Sequence, residues 1–291
     1  MSVAGEIAKV GRPAASGQGA QQDRRKLIFA IVSIGLFMAS VDQTIVATAL
    51  PAIERELHAA INWSGWTISI YALGQVIAMP MAGKISDMYG RKKVFMLAAA
   101  VFTLSSLCCG LAPNIELLLL ARFVQALGGG AFMPSATGIV SDHFGEQRDR
   151  AVGMFTSIFP IGGIVGPVLG GLFVSYWSWR GIFLVNVPGG LALIALTARF
   201  IPASASRPSS RIDLRGILLL AVLIFSGMFG ITYLGIGSVP LDSPVFMSCM
   251  ACAVVLGFVF LRHSRTYPVF AVMLVLMLPL VRLVPEHHGS W

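Results

Sequence analysis

Eight stretches of this chain are each long and apolar enough to cross a lipid bilayer, and that feature decides what it can fold into. They are Leu27–Leu50, Trp66–Gly83, Val94–Ala112, Leu117–Val140, Ala151–Tyr176, Gly181–Ile201, Ile217–Leu234 and Val245–Leu261. A transmembrane helix needs about 20 mostly apolar residues, with a range of about 17–25. In hydrocarbon every backbone N–H and C=O must be satisfied within the segment, so such stretches become helices. A ninth stretch, Val269–Val284, is short and contains Pro279 and Arg282; it reads as a partial span or a surface segment. Composition agrees. Hydrophobic residues make up 56% of the chain and charged residues 12%, whereas a soluble domain carries about 25% charge. The expected fold class is all-α, a polytopic transmembrane helix bundle.

The net charge of +8 raises the question of a nucleic-acid partner, and the placement of the charges answers it. Lys9, Arg12, Arg24, Arg25 and Lys26 precede span 1; Lys84, Arg91, Lys92 and Lys93 follow span 2; Arg148 and Arg150 follow span 4. Arg199, Arg207, Arg211 and Arg215 follow span 6, and Arg262 and Arg265 follow span 8. All of these fall on one side of the membrane, whereas the opposite loops hold only Arg55 and Arg180. The positive-inside rule then puts the N-terminus in the cytoplasm and accounts for the basic balance without nucleic acid. The first 23 residues are polar and rich in Gly and Ala, without a convincing cleavage site, so span 1 reads as an uncleaved insertion signal. Trp63, Trp66, Trp177 and Trp179 fall at the outer ends of spans, where interfacial anchors belong. The cysteines Cys108, Cys109, Cys249 and Cys252 lie within spans away from any His, and read as small packing residues.

Among the 13 acidic residues, Asp42 alone sits well inside a span, and Arg122 in span 4 is its basic counterpart. An ionisable group at that depth is costly unless paired or hydrated, and is a functional candidate by default. Span 1 runs outward and span 4 inward, so at about 1.5 Å per residue both groups lie roughly 8–12 Å below the outer helix ends. They are therefore expected to face each other across a polar cavity, Asp42 as a proton-carrying carboxylate and Arg122 as its partner. Desolvation favours the protonated carboxyl and a nearby Arg favours the ionised one, so a change that alternates the two binds and releases a proton. The alternative is a static ion pair that locks span 1 to span 4, and spacing does not choose between them. In span 5, Gly162, Gly166 and Gly170 recur every fourth residue, with Gly163, Pro167 and Gly171 one position on. That pattern lets another helix approach closely, and Pro160 and Pro167 weaken the helical ladder. Gln125 and Gly128–Gly130 continue span 4 in similar style.

These motifs identify a resemblance to the major facilitator superfamily and, within it, to the 14-helix drug:proton antiporters. The segment from Val41-Asp42-Gln43-Thr44 to Leu50-Pro51 resembles that family's first-helix signature. Gly83-Lys84-Ile85-Ser86-Asp87-Met88-Tyr89-Gly90-Arg91 resembles the superfamily motif between helices 2 and 3. The segment from Arg122 to Gly130 resembles the fourth-helix motif, the one from Gly162 to Gly171 the antiporter motif, and Trp179-Arg180-Gly181 to Asn186-Val187-Pro188 the entry into helix 6.

The resemblance implies proton coupling through Asp42 and Arg122, and a substrate cavity that includes Gln43, Thr44 and Gln125. It implies a cytoplasmic gating cluster of Asp87 and Arg91, with Gly83 and Gly90 allowing a tight turn. It also implies a multi-pass protein of the cytoplasmic (inner) membrane that exchanges amphipathic small molecules for protons. The proton gradient would be its energy source, with no cofactor. A metal or catalytic cluster is not evident, so an enzyme is not expected.

The resemblance covers roughly Lys26 to Phe270 and resolves into a tail (1–25), a six-helix transporter half (26–201), a cytoplasmic linker (202–216), two additional helices (217–268) and an atypical tail (269–291). The family continues with six further helices, and a truncated or shifted reading frame near residue 271 is the expectation. The missing half would supply the facing wall of the cavity, the partner surface for the span-5 glycines, and much of the gate opposite Asp87. The second reading is a non-transporting remnant, or a helix bundle that works only by assembling with partner chains, including by self-association. The additional helix pair has no polar constellation and is expected to be peripheral to the transport path.

Overall fold

A computed structural model describes residues 15–204, 213–234, 240 and 242–264; the ninth apolar stretch lies outside the described residues. Among the described residues all regular structure is helical. The helices are α1 (Ala15–Leu57), α2 (Ile61–Tyr89), α3 (Arg91–Gly110), α4 (Ile115–Phe144), α5 (Arg148–Thr156), α6 (Ile158–Tyr176), α7 (Gly181–Leu184), α8 (Asn186–Phe200), α9 (Leu214–Leu234) and α10 (Pro244–Ser264). Among the described residues eight segments are long and apolar enough to cross a membrane; each matches one expected span, with the third and sixth segments ending at Gly110 and Phe200, short of the expected Ala112 and Ile201. Helices α1, α2, α4 and α10 overrun the apolar stretches at both ends. Helix α1 already begins at Ala15, inside the segment expected as a tail.

The places where helices stop follow from individual residues. Asn114 caps α4 by accepting from the Leu117 N–H at 2.9 Å, which satisfies one of the N–H groups left over at a helix start. Two expected spans are each divided by a proline. Pro160 has no N–H for the Thr156 carbonyl and its ring crowds that carbonyl; the helix accordingly breaks at Ser157, between α5 and α6. Pro188 stands in the same relation to Leu184, and the break falls at Val185, between α7 and α8.

Helices α1 to α8 form one bundle, and α9 and α10 are appended to it. In α1, α3 and α4, 56% of the most apolar stretch is buried against protein, compared with 11% in the α9 span and 6% in the α10 span. Helix α9 reaches the bundle through an aromatic contact with α2, where Trp66 packs 5.9 Å from Phe225 and 6.3 Å from Phe229. The bundle core has two apolar layers. One contains Ile28, Ile31, Phe95, Phe132 and Phe155, and the other Ile45, Ile53, Leu118, Trp179 and Phe183. Along α1 the first layer ends at Ala39 and the second begins at Val41. Asp42 is therefore placed where the two meet.

Two of the four tryptophans expected as interfacial anchors are instead part of the packing. Trp179 is 2% exposed and donates from Nε1 to Glu56 Oε2 at 2.7 Å. Trp66 is also buried, whereas Trp63 and Trp177 are exposed. Trp179 joined the buried layer because Arg180 clamps the same corner. The Arg180 guanidinium lies over the Trp179 ring, pairs with Glu56, and donates to the carbonyls of Gly110 and Ala112.

Candidate functional site

Asp42 and Arg122 meet directly rather than across a cavity. The Arg122 Nη1 to Asp42 Oδ2 distance is 2.6 Å, and both side chains are 0% exposed. A carboxylate so far from water needs its lone pairs occupied, and the neighbouring helices provide the donors. Gln125 Nε2 donates to Asp42 Oδ1 at 2.9 Å and Asn186 Nδ2 to the same oxygen at 2.8 Å. Gln125 lies three residues after Arg122, on the same face of α4, and its Oε1 accepts from Arg122 Nη1 at 2.7 Å. Gln125 Nε2 also reaches Ser106 Oγ of α3 at 2.6 Å. Arg122 Nε donates to the Thr67 carbonyl of α2 at 3.4 Å, and its guanidinium lies 4.1 Å from the Tyr71 ring centroid. Arg122 Nη2 and Tyr71 Oη have no hydrogen-bond partner among the described residues. One charged centre thus links α1, α2, α3, α4 and α8.

Close helix packing brings these side chains together. A Cβ on Gly128 would lie 2.7 Å from the Ala98 carbonyl oxygen, and one on Gly130 2.9 Å from Gln75 Cα, so the Gly128–Gly130 run lets α4 press against α3 and α2. The Asn186 amide arrives because the Pro188 break starts α8 at that residue.

The glycine stripe of α6 packs on α1, not on an absent partner as expected. Added Cβ atoms at Gly162, Gly166 and Gly170 would collide with Ser40, Thr44 and Thr48, three α1 residues at the same four-residue spacing. Ser40 Oγ donates to the Phe159 carbonyl, and Thr44 Oγ1 to that of Gly162 at 3.3 Å. The second row differs, because Gly163 and Gly171 have nothing within 4 Å of such an atom and Pro167 is exposed.

Of the three residues expected in a substrate cavity, Gln125 is fully buried in the ion-pair network and Thr44 lies in the α1–α6 seam. Gln43 is half-buried, and its Oε1 has no partner among the described residues.

The loop motif forms a second ionic cluster. Arg91 Nη2 lies 3.2 Å from Asp87 Oδ1, Arg91 Nη1 lies 2.7 Å from Asp142 Oδ1, and the same guanidinium donates to the Gly138 carbonyl. It ties the end of α2 and the start of α3 to the end of α4. Gly90 makes the turn, with φ of +97°, a region that L side chains rarely occupy. Gly83 does not take part in it: the residue sits inside α2, well before the turn.

Sequence reasoning missed Asn186, Ser106 and Asp142. Asn186 carried a usable signal, a polar residue in an apolar span two positions before a proline. Ser106 and Asp142 are ordinary in sequence and gain meaning only from packing.

Comparison with known proteins fits this architecture. A profile of the Major Facilitator Superfamily matches residues 32–285. Multidrug resistance protein Stp of Mycobacterium tuberculosis is 34% identical over 252 residues, covering 84% of this chain and 46% of that protein. Multidrug resistance protein 3 of Bacillus subtilis is 34% identical over 213 residues, covering 73% of this chain and 41% of that protein. The chain thus spans less than half the length of these relatives. Among solved structures, a proton:xylose symporter superposes with a TM-score of 0.57 at 14% identity, over 87% of this chain and 56% of that one. Its likeness concerns the fold alone. An all-helical bundle of eight membrane-length segments, with a family profile over most of its length, leads to one assignment: the chain belongs to the major facilitator superfamily.

Proposed function

We propose that this chain acts in secondary transport, exporting amphipathic compounds in exchange for protons, with Asp42 as the proton-carrying carboxylate and Arg122 as its partner. The observation that carries this reading is the fully buried Asp42 with three side-chain donors from two helices, at the meeting plane of the two core layers. Protonating Asp42 cancels the charge that Arg122 pairs with and turns an acceptor of three hydrogen bonds into a partial donor. A carboxyl whose protonation breaks contacts to α4 and α8 together is suited to couple a proton to helix movement. The drug-resistance names of the relatives favour an amphipathic substrate, energised by the proton gradient rather than by a cofactor or an enzymatic step. The excess of Lys and Arg on one side favours an N-terminus in the cytoplasm, in the inner membrane.

Alternating access by rocking requires two bodies, and the described residues build one. A second reading therefore has its own support: the chain works only by assembling with a further body, a second copy included, or does not transport. The exposed α6 residues Ile164, Val168 and Leu172 favour assembly.

Dye efflux from cells expressing the chain, with and without collapse of the proton gradient, tests both. Efflux by the wild type that disappears in Asp42→Asn supports the proposal, and coupled efflux that survives Asp42→Asn ends it. No efflux from a correctly inserted chain favours the second reading.

A further inference from the structure

Where α1 begins, α4 ends and α5 begins, the bundle holds a cavity of about 630 Å³, a size typical of small-ligand sites. Three cations line it, Arg25 and Lys26 from α1 and Arg150 from α5. No carboxylate is among the described lining residues. Arg25 and Arg150 have no ion-pair partner among the described residues, and Lys26 has only a 3.7 Å contact to Asp23, with both side chains largely exposed.

The rest of the lining is Gln22 and Gln147 with the apolar Phe29, Phe144, Ala151 and Met154. Phe29 packs edge-on against Phe144 at 6.0 Å and against Phe155 at 6.4 Å, which fixes the cavity floor. Met154 of the lining is 54% exposed, and Ile161, on the helix that follows in the chain, is 52% exposed. Three positive donors beside the Phe29 and Phe144 rings, at the ends of membrane-length helices with exposed apolar side chains nearby, match one ligand chemistry. We propose that this cavity holds the phosphate headgroup of an anionic membrane lipid, with Arg25, Lys26 and Arg150 on the phosphate and an acyl chain along Met154 and Ile161. The site lies at the end of the bundle that carries most of the Lys and Arg residues. It depends on membrane insertion and not on proton coupling, so its failure and that of the transport reading are separable.

The test uses the full chain purified in detergent and titrated with phosphatidylglycerol or phosphatidylcholine under native mass spectrometry. Wild type is expected to retain phosphatidylglycerol at least tenfold better. Arg25→Gln/Arg150→Gln is expected to lose that preference, while the charge-matched Arg24→Gln/Arg148→Gln, outside the cavity lining, keeps it. Equal preference in wild type and the cavity variant overturns the proposal. Displacement of the lipid by equimolar glycerol 3-phosphate also overturns it, since the site would then recognise a soluble phosphate ester. If the double variant does not insert, Arg150→Gln alone is expected to weaken the preference about threefold, and an unchanged preference there overturns the proposal equally.

Discussion

The molecule uses the same pair of functional groups at two depths. Asp42 and Arg122 are both 0% exposed, whereas in the loop cluster Arg91 is 16%, Asp142 30% and Asp87 47% exposed. The attraction between opposite charges grows as the local dielectric falls, and so does the cost of leaving one of them alone. The inner pair is correspondingly surrounded by donors from α4 and α8, while in the outer cluster water can replace a lost partner. Burial therefore separates the two: the inner cluster cannot lose a member without a structural response, whereas the loss of a member costs the outer one less.

Arg122→Ala tests that contrast most severely. It leaves Asp42 buried without its counter-charge, and is expected to lower stability by about 3–5 kcal/mol, read from unfolding in detergent micelles titrated with denaturing surfactant. A loss no larger than that of the outer-cluster variant breaks the comparison. Asn186→Ala removes one donor and keeps the charge pair. Its expected cost is about 1–3 kcal/mol in the same assay, with a shift in the pH profile of any efflux. Arg91→Ala, in the partly exposed cluster, is expected to cost about 1 kcal/mol or less, and to raise thiol labelling of a cysteine placed near Gly138 as the α2–α4 tie loosens.

The smallest effect belongs to an acid outside both clusters. Asp213, just before α9, accepts from the Gly216 N–H at 3.0 Å and lies 2.9 Å from His263 Nε2 at the end of α10. The Gly216 N–H first, and His263 next, hold its carboxyl below the usual carboxylate range. A lowered folded-state value means the contribution is complete above the ordinary carboxylate pKa of about 3.9 and is lost as the pH falls through the lowered one. The stability difference between wild type and Asp213→Asn is expected to be a few tenths of a kcal/mol at neutral pH and to shrink below about pH 4. A difference that grows on acidification contradicts this assignment.

The features legible in the sequence are those with a local cause. A run of about 20 apolar residues has one way to satisfy its backbone in hydrocarbon, so the eight spans were readable. The matched depths of Asp42 and Arg122 follow from helical rise alone, and the structure adds that they touch. Partners that depend on how helices rotate about their axes were not readable. The stripe of Gly162, Gly166 and Gly170 announced a close approach without saying to which helix, and α1 answered with Ser40, Thr44 and Thr48. Trp179 looked like any tryptophan at a membrane boundary until Glu56 and Arg180 enclosed it. The breaks at Ser157 and Val185 were written in Pro160 and Pro188, but the second mattered because it sets Asn186 against Asp42.

The two glycine rows of α6 differ by a single residue step and meet opposite surroundings, one seated on Ser40, Thr44 and Thr48 and the other with no neighbour within 4 Å. This makes the helix a ready-made mount for spectroscopic reporters. A cysteine substituted at Gly163 or Gly171 points a spin label away from the α1 seam without displacing an atom of it. In such samples, the spread of distances between labels on neighbouring molecules would register whatever body comes to lie against that face.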